Sequence, residues 1–148
     1  MTLEAVFASL HLLAVLAVVV FLTSVTALCR TELMSAAVVR RLARMDTIYW
    51  CAVLVLLITG VVRVVWGIKG TEWYVSQPLS HLKALLFVVM VALSVWPSMQ
   101  IRQWLQVLNA SGELPVSGAI IKTRKWLMVA AHMIPVIAVV AVFWVRGM

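Results

Sequence analysis

A run of about 20 consecutive apolar residues has few places to go. As a helix it crosses the roughly 30 Å of bilayer hydrocarbon while satisfying every peptide group internally. This chain carries four such runs, Leu3 to Leu28, Ile48 to Trp66, Leu79 to Met99 and Trp126 to Val145. With 65% hydrophobic residues across 148 positions, they point to an all-α, multi-pass integral membrane protein. Continuous stretches such as AVLVLLITGVV exclude membrane strands, which alternate apolar and polar residues. The connections are too short for a separate soluble domain, so one four-helix transmembrane domain is expected over residues 1–148. The first run is expected to stay as a permanent helix. No basic residue precedes it, and Leu28 stands before Cys29 where a lipoprotein cleavage box has a small residue.

A net charge of +7 would suggest nucleic acid in a soluble protein; here its distribution over the loops carries the information, and no nucleic-acid partner is expected. Arg30, Arg40, Arg41 and Arg44 follow the first run, and Arg102, Lys122, Arg124 and Lys125 lie between the third and fourth. Arg63, Lys69, Lys83 and Arg146 belong to the other side. Eight against four, by the positive-inside rule, puts both long loops in the cytoplasm and both termini outside. Trp50, Trp96 and Trp126 then mark the inner interface, Trp66 and Trp144 the outer one. The first loop, TELMSAAVVRRLARMD, mixes apolar and basic residues as a topology signal does, and could also lie as a helix on the inner leaflet. The third helix is expected to extend into the cytoplasm, stop at Gly112 and Pro115, and be followed by a short restart capped by Ser117. Cys29 and Cys51 match no metal or haem-attachment spacing and are expected to remain thiols.

An ionisable side chain inside a span costs roughly 2.5–3.5 kcal/mol, so one that is present faces a partner, a cavity or the interface. The residues concerned are Glu4, His11, Arg63, His81, Lys83 and His132. Rising 1.5 Å per residue, His11 lies about 12 Å below the outer boundary, and Arg63 and Lys83 about one turn below it. Five of the six fall in the outer half, on three helices that could converge. Arg63 and Lys83 are also close enough to the boundary to serve as snorkelling anchors. His11 is too deep to snorkel and must hydrogen-bond inside the bundle. His132, about 9 Å from the inner edge and three residues before Pro135, reads as a satisfied packing histidine. His11 and His132 are offset by roughly 8 Å in depth, too far to grip one haem between them; His11 with Lys83 is the better match.

The early His11, the stretch TGVVRVVWGIKGTEWYVSQPLSHLK and the terminal WVRGM resemble a family of small bacterial inner-membrane proteins catalogued as a domain of unknown function. That likeness covers nearly the whole chain and implies a multi-pass protein of the bacterial inner (cytoplasmic) membrane. The family's recurrent features map to His11, Gly60, Arg63, Gly67, Lys69, Gly70, Tyr74, Pro78 and Lys83. More distantly, a first-helix histidine with a later His-x-Lys is similar to HemJ-type protoporphyrinogen oxidases and to copper-resistance D membrane proteins; His11, His81 and Lys83 match. The resemblance to the HemJ type implies haem b as a cofactor, with His11 as the metal ligand.

Two readings stand beside each other. One is a haem- or porphyrin-binding redox protein, with His11 as ligand or proton carrier and Arg63, Lys69 and Lys83 pairing carboxylates. The other is a non-catalytic accessory or anionic-ligand-binding module that uses the same residues with Tyr74 and His81. A transporter would need polar residues through the full thickness, and four helices would need a homo-oligomer or a membrane-complex partner to enclose a pore. No hydrolase elbow, P-loop or dinucleotide fingerprint is present.

Overall fold

The computed structural model describes residues 2–67 and 69–146, so the last two residues of the terminal WVRGM lie outside it. Its helices are α1 (Thr2–Leu28), α2 (Ala36–Trp66), α3 (Thr71–Ser76), α4 (Pro78–Ser111) and α5 (Ser117–Arg146). All but α3 are long and apolar enough to cross a membrane. A 3-10 turn at Thr31–Leu33 links α1 to α2, and no strand occurs among the described residues.

Helix boundaries follow local chemistry. The Ser35 side chain accepts the Val38 N–H at 3.3 Å and caps α2, Pro78 opens α4, and Gly112 ends it with φ 74 and its N–H on the Leu108 carbonyl at 2.9 Å. Helix α2 starts at Ala36, so the first basic loop forms no separate interfacial helix; from Ala36 onward it is continuous with the span. The restart at Ser117 is likewise continuous with the fourth span. Nothing after Ala36 or Ser117 breaks either helix, so α2, α4 and α5 all run past their apolar stretches at this basic end.

Helix α1 packs along α2 and α4 along α5; α2 against α4 and α1 against α5 close the bundle through thinner seams. The buried positions run at heptad spacing: Val39, Leu42, Asp46, Tyr49, Val53 and Leu56 on α2, and Met90, Ser94, Pro97, Ile101, Trp104 and Leu108 on α4. Alternating steps of three and four keep one narrow stripe on the neighbouring helix. Lipid is as apolar as leucine, so this stripe holds through close packing and hydrogen bonds more than through the hydrophobic effect.

The packing is uneven along the bundle. Buried residues begin at Ala14 on α1 and end at Thr59 on α2, begin at Met90 on α4 and end at Ala130 on α5. Beyond those levels, toward α3, every described side chain is at least partly accessible. A tight core therefore fills the basic half, and the α3 half is loosely closed. Free Cys29, fully buried at 0% exposure, belongs to the tight half. Burial pushes its thiol from 9.0 up to about 11, with Arg124 pulling the other way. Cys51 is exposed on the outside of α2.

Candidate functional site

The loose half contains the polar residues that the sequence places at depth. Nδ1 of His11 lies 2.9 Å from the Thr59 hydroxyl. That hydroxyl gives its proton to the Val55 carbonyl at 2.8 Å, so it accepts from the ring and His11 carries its proton on Nδ1. Nε2 is left with a free lone pair. Gly60 sits beside the ring: a Cβ there would meet His11 Cε1 at 3.5 Å, an ordinary contact.

Arg63, one turn beyond Thr59, and Lys83, on the facing part of α4, are half-buried and near enough for both charges to bear on the His11 ring and for Arg63 to bear on Lys83. Lys83 does not extend into open water. Its Nζ sits 4.7 Å from the ring centroid of Trp144 on α5, a cation–π contact. Trp144 in turn packs 5.7 Å from Tyr74 and 5.6 Å from Trp73, both on α3, and its buried Nε1–H has no partner among the described residues. The short helix α3 can fold down here because Gly67 carries no side chain; a Cβ would press on the Arg63 carbonyl and lie 3.1 Å from the Tyr74 ring.

The other sequence candidates stand apart. Lys69 is exposed over Trp73, Nζ 4.0 Å from the centroid. His81 is exposed, and its Nε2–H donates to the Val75 carbonyl at 2.7 Å, closing the end of α3 instead of facing His11. His132 does not pack in the core: it is exposed on α5 with its Nδ1–H on the Met128 carbonyl at 2.6 Å. Pro135 follows within the same unbroken helix. Its hydrogen bond is satisfied locally, which frees the ring to face outward.

A second polar group, missed by the sequence reading, lies in the tight half. Asp46 is 4% exposed; Ser98 donates its hydroxyl proton to Oδ1 while accepting the Trp50 indole N–H. One turn deeper, Tyr49 donates to Ser94 at 2.9 Å, and Ser94 to the Met90 carbonyl. Together these bonds stitch α2 to α4. Arg102 Nε lies 3.8 Å from Asp46 Oδ2 with its own side chain 61% exposed. The signal was legible: Asp46 occupies a regular position in the α2 heptad stripe, where a carboxylate is unexpected.

Among the described residues no group of three or more His, Cys, Asp or Glu side chains converges as a metal site. Neither a curated protein nor a solved structure matches the chain. A family pattern does, over residues 3–148, and the four spanning helices agree with its description. The chain belongs to the family described as Predicted membrane protein (DUF2214).

Proposed function

We propose that this multi-pass membrane protein is a binding module for an anionic, membrane-associated ligand, held in the loose half of the bundle. The single observation that carries the reading is a charge imbalance. Arg63 and Lys83 are half-buried in the loose half without a salt bridge among the described residues, whereas the one salt bridge there, Arg102 with Asp46, lies at the other end. Two cations kept half-buried at a membrane boundary favour a carboxylate or phosphate between them, through charge-assisted hydrogen bonds. Trp144, Tyr74 and Trp73 sit at the same level and supply apolar walls with polar edges. By the positive-inside expectation this end faces outward across a bacterial inner membrane.

A second reading rests on the His11 tautomer. A ring held by Nδ1–H on Thr59 presents a bare Nε2, so His11 would hold the iron of a b-type haem, with Arg63 and Lys83 pairing its carboxylates. His11 is the one histidine that would hold it, since His81 and His132 are each turned to a backbone carbonyl elsewhere. Bound haem would supply redox chemistry; the chain itself supplies orientation, charge pairing and a partly dry site.

The two readings part in one preparation. Protein purified in mild detergent should retain anionic lipid in native mass spectrometry and lose it in Lys83→Met, with no Soret absorption. A Soret band lost in His11→Ala would establish the haem reading instead. Neither retained lipid nor a Soret band would overturn both.

A further inference from the structure

The buried Asp46 cluster is used by neither reading. We infer that Asp46 is a proton-binding site at the basic end of the bundle, where a proton and Arg102 compete for the same carboxylate oxygen.

The geometry divides the two oxygens. Oδ1 receives the Ser98 hydroxyl proton, and Ser98 is itself fixed by the Trp50 indole N–H, so this side is satisfied. Oδ2 is buried and accepts no hydrogen bond; the nearest cation, Arg102 Nε, is 3.8 Å away, beyond hydrogen-bonding reach. A buried carboxylate needs either a counter-charge or a proton. The counter-charge is loosely committed, since Arg102 is 61% exposed and can turn to water. Among the described groups, Arg102 from α4 and the Tyr49 phenol from α2 are the charged or titratable side chains that bear on Asp46.

Protonation adds a proton from the adjoining aqueous phase to Oδ2, makes the acid neutral and releases Arg102. Deprotonation returns the proton to the same phase and draws the arginine back. The polar ladder leads no further inward. Tyr49 hands its proton to Ser94, Ser94 hands its own to the Met90 carbonyl, and the buried α2 positions from there to Thr59 are Ala52, Val53 and Leu56. Proton exchange is therefore one-sided, as in a sensor, and does not reach His11. The cluster lies on the thin α2–α4 seam, so the contact that changes, Arg102 with Asp46, is one that joins the α1–α2 hairpin to the α4–α5 hairpin.

The test is an infrared pH titration of the full chain in lipid nanodiscs, reading the C=O stretch of a protonated carboxyl group. Beside the carboxyl absorption that the exposed glutamates share, acidification should produce a separate component from a carboxyl group shielded from water, missing in Asp46→Asn and retained in Glu32→Gln and Glu113→Gln, whose side chains are exposed at the same end. Arg102→Gln, which leaves Asp46 and Ser98 in place, should move the midpoint of that component upward by about one pH unit, because the competing cation is gone. A shielded-carboxyl component that survives in Asp46→Asn overturns the assignment. So does a midpoint unmoved by Arg102→Gln, or the lack of that component over the pH range in which the wild-type protein stays folded.

Discussion

The imidazole of His11 and the hydroxyl of Thr59 join α1 to α2 at the level where the buried core ends. Thr59 already spends its proton on the Val55 carbonyl, so this one contact decides which ring nitrogen of His11 faces the loose half. Replacing Thr59 by valine keeps the shape and removes the acceptor. The expected cost is about 1–3 kcal/mol of stability from an unpaired Nδ1–H, together with a mixed tautomer population visible in nitrogen NMR of His11. A spectrum with the same single tautomer as wild type would mean that Thr59 does not select it.

Lys83→Met and Arg63→Gln should each weaken binding of anionic lipid or haem by about tenfold, the scale of one charge-assisted hydrogen bond. Each removes one of the two cations that bear on His11. His132→Ala should change neither binding nor stability beyond about 0.5 kcal/mol, since the ring is exposed and bonded only to its own helix. Titration of the purified variants with liposomes of graded anionic content checks both statements, and equal losses in all three variants would refute the siting.

The spans were readable because a bilayer imposes one length and one composition on any helix that crosses it. The expectation that His11, Arg63 and Lys83 share one half of the bundle follows the same logic, since depth along a helix can be counted. Two things escaped that counting. Asp46 follows four arginines in a stretch that reads as a cytoplasmic loop, so its regular place in the stripe goes unused until the helix is seen to run unbroken from Ala36. His132 lies two residues past the last buried position of α5, and depth says nothing of azimuth: the stripe through Thr123, Leu127 and Ala130 leaves it on the outer face.

Cys29 provides a pH signature. A thiol whose folded pKa is raised holds its proton more tightly in the native state, so its contribution is complete below 9.0 and is lost as pH rises from 9.0 to about 11. Thermal unfolding of the wild type should therefore show an alkaline decline across that window that is shallower in Cys29→Ser. A permeant maleimide should label Cys51 in the folded protein and reach Cys29 only after unfolding.

Gly67→Ala should disturb α3 rather than the spans. Its new methyl group would sit 3.1 Å from the Tyr74 ring and closer still to a backbone carbonyl that is unable to retreat. Faster amide exchange confined to Thr71–Ser76 is the expected result, with thermal unfolding of the whole chain shifted little. Unchanged exchange in that segment would show that α3 holds its place without the close approach.

The orientation is open to a direct measurement. Reporter fusions after Arg44 and after Arg146 should report opposite compartments, the first cytoplasmic, because the basic end carries eight of the twelve Lys and Arg residues. A cytoplasmic signal from the second fusion would reverse it.

The asymmetric core has a mechanical consequence. Pulled apart by its two ends, α1 and α5 would peel first through the stretch before Ala14 and the stretch after Ala130, where no described side chain is fully enclosed, and then meet sharp resistance at the interlocked stripe below. The force trace should show a soft approach followed by one abrupt rupture. Any molecule wedged between Arg63, Lys83 and Trp144 would bridge the soft stretch and stiffen it, so its arrival could be felt as a change in compliance before its chemical identity is known.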